Sequence, residues 1–129
     1  MALPFVTAIV VAAGNSTRMG RNKLLLSVGG EPLIVKTVAS FVNADSVRDI
    51  VVVTSSDDVK KAITEKKFSK NIIFAEGGNC RQESVRNGFY AVSPNTEIVC
   101  VHDGARPFVL SADIDSVNAA AAESGAAVC

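Results

Sequence analysis

Two cations stand on one polar stretch behind a short apolar run. Ala8-Ile-Val-Val-Ala-Ala-Gly14 leads into Asn15-Ser-Thr-Arg18-Met-Gly20-Arg-Asn-Lys23. A run of β-branched residues ending in two alanines and a glycine is a strand that stops at a small, open backbone. Peptide N–H groups there, joined by a guanidinium and an ammonium, suit a polyphosphate. Exposed loop Lys and Arg are ordinarily just solvated. On the residues alone that reading stands beside the polyphosphate one. Two further polar stretches carry groups that could serve the same ligand: Glu76-Gly-Gly-Asn-Cys-Arg-Gln-Glu-Ser84, and Asp103-Gly-Ala-Arg106 behind His102.

The common nucleotide loops are absent. A Walker A loop needs Gly, four residues, then Gly-Lys-Ser/Thr, and Gly14 to Gly20 has neither the spacing nor the Lys-Ser/Thr pair. A dinucleotide fingerprint starting at Gly14 would need glycine at Ser16 and Met19. An NAD-dependent dehydrogenase therefore rests on topology alone.

The elements that must position these loops follow from the pattern. Residues Val6–Ala12 are apolar throughout apart from Thr7, as in a parallel strand covered on both faces. Gly14–Gly30 reads as a long loop interrupted by Lys23–Val28. Pro32 suits a first helical turn, and Ile34, Val38, Phe41 and Val42 form the apolar stripe of a helix running to about Ala44. Asp49–Thr54 is the second strand. Ser55 with Asp58 resembles a capping box for a helix carrying Val59, Ala62 and Ile63. Asn71–Ala75 is the third strand, Arg81–Val92 a helix and Glu97–His102 the fourth strand. Ser111 is the expected N-cap of a helix through Glu123, and Ala126–Cys129 begins a fifth strand.

Strands and helices alternating with short connections give an α/β fold: a three-layer, doubly wound, mostly parallel sheet of Rossmann-like type. Ligands on such sheets bind at the carboxyl ends of the strands. The loops 14–23, 76–84 and 103–106 all leave those ends. With no linker or repeat, residues 1–129 read as a single domain. Because the last residues stop inside an apparent strand, the expectation is the N-terminal part of a longer chain.

Composition narrows the function classes. Hydrophobic residues make up 48% of the chain, enough for a packed core. Thirteen Lys plus Arg balance thirteen Asp plus Glu, which argues against a general binder of nucleic acid or membrane surfaces. Any anion site is therefore local. Cys80, Cys100 and Cys129 are far apart and odd in number, with no C-x-x-C, so neither a zinc ribbon nor a disulfide framework is supported. They read as reduced thiols of a cytoplasmic protein, and Cys80 as incidental to the chemistry. His102, the one histidine, cannot build a metal cluster alone and is expected to pack or hydrogen-bond locally. No apolar run approaches the roughly 20 residues that span a bilayer. Met1–Phe5 lacks the charged start of a secretory signal.

Ala-Ala-Gly followed by Arg18-Met-Gly20 and Lys23 is similar to the signature of sugar-nucleotide pyrophosphorylases and related nucleotidyltransferases. Together with Gly77-Gly-Asn-Cys-Arg-Gln-Glu-Ser-Val85 and His102-Asp-Gly-Ala-Arg-Pro107, the chain closely resembles the 2-C-methyl-D-erythritol 4-phosphate cytidylyltransferase family, over roughly the N-terminal half of a family member. The resemblance implies transfer of CMP from CTP to the sugar-alcohol phosphate with release of diphosphate, a step of isoprenoid precursor synthesis. It gives Arg18 and Lys23 the role of catalytic cations. Ala12, Ala13, Gly14, Asn15 and Ser16 fall where the triphosphate is cradled, Gly78, Asn79 and Ser84 where cytosine is read, and Gly104 where the ribose is held. Asp103 falls on a ligand of Mg²⁺, and Arg81 and Arg106 are expected to brace the loops. It also implies a homodimer at full family length.

Three positions depart from the family pattern. Ser16 stands where a second glycine is frequent, Leu24 where Gln follows the lysine, and Asn79 where Asp is frequent. The acceptor site, a further metal carboxylate and the dimer arm lie beyond Cys129 in the family. A ribitol 5-phosphate or other sugar-phosphate cytidylyltransferase, and a non-catalytic nucleotide-binding fragment, therefore stay open as alternatives.

Overall fold

Val6–Val11 (β1) is buried at every position, as its run of Val, Ile, Ala and Thr requires of a strand with neighbours on both sides and layers on both faces. The structure, a computed structural model, describes residues 4–13 and 23–127. β1 pairs in parallel with Val47–Val53 (β4) on one side and Ile98–Asp103 (β6) on the other. Asn71–Ala75 (β5) pairs with β4, so the described residues form a four-stranded parallel sheet of order β5-β4-β1-β6.

The chain runs outward from β1 through β4 to β5, then returns to the other side of β1 with β6. Right-handed crossovers then dictate which face each helix covers. Leu33–Val42 (α1) and Asp57–Lys66 (α2) lie with Ser111–Ser124 (α4) on the face presented by Ala8, Val10, Ile50 and Val52. Arg81–Ala91 (α3) covers the opposite face, where Val85 and Ala91 pack with Ile9, Val11, Val51 and Val53. The expected three-layer doubly wound fold is what forms.

Several local expectations need correction. Ser27–Val28 (β2) and Glu31–Pro32 (β3) make a small antiparallel hairpin where a plain loop was expected. Its turn residues Gly29 and Gly30 have φ of 61° and 88°, the two positive values that a tight two-residue hairpin demands. Pro32 precedes α1 rather than opening it, and α1 ends at Val42, short of Ala44. Ser56, not Ser55, caps α2: its Oγ accepts from the Val59 N–H at 3.3 Å. Ser111 is the first residue of α4 rather than its cap, and its hydroxyl donates to the Ser40 carbonyl. Residues 126 and 127 are not in a strand, and the remainder of the expected fifth strand lies outside the described residues.

Candidate functional site

Strand register brings the loops to one rim. Val11 pairs with Val53 and with Asp103, and Val53 pairs with Ala75, so the four strands end level. The ladder runs one residue further: Ala12 N–H donates to Val53 O at 2.8 Å, Thr54 N–H to Ala75 O at 2.9 Å, and Gly104 N–H to Val11 O at 2.8 Å. The order in which the chain adds strands reverses between β1 and β6, and a crevice outside such a switch point is where open parallel sheets take ligands.

The loop after β5 is fixed by polar contacts. Gly77 N–H donates to Ser55 Oγ at 3.0 Å, and Ser55 Oγ donates to Glu76 Oε2 at 3.0 Å. Lys60 pairs with the other Glu76 oxygen at 3.4 Å, and Asn87 Nδ2 donates to Glu76 O at 2.9 Å. Gly78 N–H donates to Ser84 Oγ at 2.9 Å, so a serine only 3% exposed closes the turn into α3. A Cβ on Gly77 would lie 2.7 Å from Ala13 Cβ, and one on Gly78 would lie 2.5 Å from Glu83 Cβ. Glycine here lets the loop lie directly against the end of β1.

Asp103 ends β6 and organises the next loop. Its Oδ1 accepts from Ala105 N–H at 2.9 Å, its carbonyl accepts from Arg106 N–H at 3.1 Å, and its Oδ2 lies 3.7 Å from the Arg81 guanidinium. That ion pair links the loops after β5 and β6. Arg81 is largely in water and Asp103 partly so, and a pair so exposed contributes geometry more than the ~0–1 kcal/mol typical of surface pairs. Arg106 braces the turn through its backbone, since its carbonyl accepts from His102 Nε2 at 3.1 Å. His102 therefore carries its proton on Nε2, and its ring tilts against Phe41 at 5.2 Å, the local packing role expected of it.

Gly104 turns inward. Its N–H is taken by Val11, its carbonyl accepts from Thr37 Oγ1 at 2.8 Å, and a Cβ would meet Ile34 Cδ1 and Val11 O at 2.9 Å. Both of its polar groups thus engage the protein interior, and it nails the loop to the core.

Lys23 is exposed at the head of a single 3₁₀ turn, Lys23–Leu25. The next residue, Leu24, is buried in the core with Ile34 and Val59, which ties this cation to the body of the domain. A leucine at that position has a packing reason. Ala12 and Ala13 continue from β1 onto the rim, and Asn79 is exposed in the loop after β5. Gly14, Asn15, Ser16 and Arg18 lie outside the described residues.

Cys80 and Cys100 are free thiols, and burial pushes the Cys100 thiol up, so it stays protonated and unreactive. Among the described residues no three His, Cys, Asp or Glu side chains cluster as a metal site, and no helix is long and apolar enough to cross a membrane. Sequence reasoning missed Thr37, Ser55, Glu76 and Asn87, which hold the loops from behind. Their partners are distant in sequence, and only Ser55 and Glu76, just past the ends of β4 and β5, carry a local signal.

The family model for IspD, 2-C-methyl-D-erythritol 4-phosphate cytidylyltransferase, matches residues 6–129. A protein of that name from Geobacillus thermodenitrificans is 41% identical over 126 residues, covering 94% of this chain and 55% of that protein. One from Caldanaerobacter subterraneus is 40% identical over 110 residues, covering 81% and 48%. The crystal structure of 4-diphosphocytidyl-2C-methyl-D-erythritol synthase from Anaerococcus prevotii superposes with a TM-score of 0.79 at 31% identity, over 91% of this chain and 50% of that one. A CMP:2-keto-3-deoxy-manno-octonic acid synthetase complexed with CTP shares the fold at 15% identity, with a TM-score of 0.74. The chain spans about half the length of the relatives it matches. It belongs to the 2-C-methyl-D-erythritol 4-phosphate cytidylyltransferase family.

Proposed function

We propose that this chain forms the nucleotide-binding part of an enzyme that transfers CMP from CTP to 2-C-methyl-D-erythritol 4-phosphate. The observation that carries the reading is the family match over residues 6–129, combined with strand ends that level the three candidate loops on one rim. An oxygen of the acceptor phosphate attacks the α-phosphorus of CTP. The bond from that phosphorus to the bridging oxygen breaks, and diphosphate leaves. Two anions must meet while negative charge builds on the phosphoryl oxygens, so catalysis consists mainly of positioning and charge stabilisation.

Arg18 and Lys23 supply that stabilisation as cations. The peptide N–H groups around Ala13 to Ser16 would cradle the triphosphate as a backbone nest, that of Ala12 being taken by Val53 O. Cytosine is read by the rim of the β5 loop, at Gly78 and Asn79. The Ser84 hydroxyl, accepting from Gly78, keeps its own proton to donate. The ribose would lie against the turn from Asp103 to Arg106, which Gly104 seats close to the core and whose other residues offer the polar edges.

Asp103 fits a hard divalent cation. Its carboxylate is partly exposed, and among the described residues its Oδ2 has a long ion pair to Arg81. Mg²⁺ is commonly held by one or two carboxylates together with substrate phosphate oxygens, so one protein carboxylate here is in keeping with that cation. When bound it would neutralise phosphate charge. Arg81 braces Asp103 through the ion pair, and Asp103 is the residue that would hold the cation. The balanced net charge supports small phosphorylated substrates over nucleic acid, the scattered cysteines read as reduced thiols support a cytoplasmic enzyme, and the resemblance supports a dimer at family length.

The test is diphosphate release from CTP and Mg²⁺, in a chain carrying these residues at family length, with methylerythritol phosphate and ribitol phosphate as acceptors. Turnover with methylerythritol phosphate is expected. Turnover with ribitol phosphate alone would reassign the acceptor, and none with either would refute the reading.

A further inference from the structure

We infer that Thr37 is a positioning residue for the nucleotide site, holding the Asp103–Arg106 turn at a fixed place relative to the segment that bears Lys23. The inference rests on the nucleotide-binding reading above and adds a residue to it. Thr37 is completely buried on α1, and its hydroxyl lies 2.8 Å from Gly104 O, 67 positions away in sequence. The same hydroxyl also lies 3.3 Å from Leu33 O, one turn back in its own helix. A hydroxyl has one proton to give, and the shorter contact to Gly104 takes it. Leu33 O is also within reach of the ordinary helix ladder, whereas the Gly104 carbonyl, in a buried residue, relies on Thr37.

Gly104 is thereby held from both sides, by Val11 O through its N–H and by Thr37 through its carbonyl. Asp103 precedes it directly. At the other end, α1 is joined to the Lys23 segment: Leu33 N–H donates to Leu26 O at 2.9 Å, and Leu26 N–H donates to Lys23 O at 3.1 Å. One helix therefore anchors a cation-bearing turn and a carboxylate-bearing turn. Thr37 is the polar link between the helix and the second of these.

Three variants separate positioning from bulk stability. Thr37→Val keeps the shape and loses the donor, Thr37→Ser keeps the donor and loses a methyl, and Thr37→Ala loses both. CTP affinity in the presence of Mg²⁺, read by calorimetry on the 129-residue chain, is expected to follow the hydroxyl. Thr37→Ser should match the unsubstituted chain, while Thr37→Val and Thr37→Ala should bind about tenfold more weakly. Amide hydrogen exchange at Gly104 should quicken in the same two variants and not in Thr37→Ser. If Thr37→Val fails to fold, the serine variant still decides: it sheds core packing, so affinity that falls with its melting temperature overturns the proposal. Unchanged affinity and unchanged Gly104 exchange in Thr37→Val also overturn it. Absence of CTP binding by the unsubstituted chain would refute the nucleotide reading instead, and Gly104 exchange would then judge Thr37 on its own.

Discussion

Gly78 has no room for a side chain. A Cβ there would sit 2.5 Å from Glu83 Cβ and 2.9 Å from the Glu83 backbone carbon, and backbone at that range cannot rotate away. Gly78→Ala is expected to push the β5 loop off its seat and weaken CTP binding about tenfold or more, read by calorimetric titration. Ser84→Ala leaves the Gly78 N–H without its acceptor in a nearly closed site. It should lower stability by about 1–3 kcal/mol in urea unfolding as well as weakening CTP binding. Lys23→Ala should behave in the opposite way. Lys23 is exposed, so stability should move by no more than about 0.5 kcal/mol. Turnover of a family-length chain should fall by about 10²-fold or more as transition-state charge loses a partner. A matched loss of stability and turnover would contradict that role. At this scale the turns after β5 and β6 were legible, because glycines beside polar residues at a strand end announce themselves. Thr37 was not, because a helix hydroxyl facing a carbonyl 67 positions away looks like any threonine on an apolar face.

Elements add a second layer of support. Gly88 brings α3 down onto the sheet, since a Cβ there would lie 2.7 Å from Ile9 Cγ2 and 3.0 Å from Val53 Cγ2. Gly88→Val is expected to lift the helix and cost about 1–3 kcal/mol, visible as a lowered melting temperature. At the far end of the fold, Asp115 on α4 holds the α1–β4 connection. Its Oδ1 accepts from Ser46 N–H at 2.9 Å and from Ser46 Oγ at 2.5 Å, and Asn118 donates to that same hydroxyl. Desolvation alone would raise the Asp115 carboxyl, but the bonds from Ser46 and Asp45 and the Lys70 charge outweigh it and hold it below its ordinary 3.8. A carboxyl lowered in the folded state stabilises the fold above about pH 4, and that contribution is lost as pH falls through the lowered value. Asp115→Asn should therefore reduce stability at neutral pH and flatten the fall below pH 4, with CTP affinity unchanged. Thermal melts across pH 2–7 check this. Element types were legible from hydrophobic period, but caps and turns were not always. Ser55 and Ser56 are adjacent candidates for one cap, and only geometry assigns Ser56 to α2 and frees Ser55 for Gly77. The Gly29-Gly30 pair is the local signal of the β2–β3 hairpin, where the hydrophobic pattern alone shows a loop.

At the scale of the molecule, order of strands matters more than any one contact. Unbroken β-branched runs and short connections were enough to read a parallel, doubly wound sheet. Strand order, with β1 between β4 and β6, follows from handedness only once β6 is known to return to the β1 side. That return makes the reversal point, and the level strand ends make the rim. The net charge of zero means that this rim must bind its anion by local arrangement rather than by a general field. Nucleotide binding should accordingly survive moderate salt better than a diffuse basic surface would.

The most direct measurement is backbone amide mapping of the isotope-labelled 129-residue chain as CTP and Mg²⁺ are added. The account predicts shifts concentrated in residues 12–23, 76–84 and 103–106, with α2, α4 and the amino ends of the strands unchanged. Saturable shifts confined to any other surface, or to one of the three loops without the others, would contradict it.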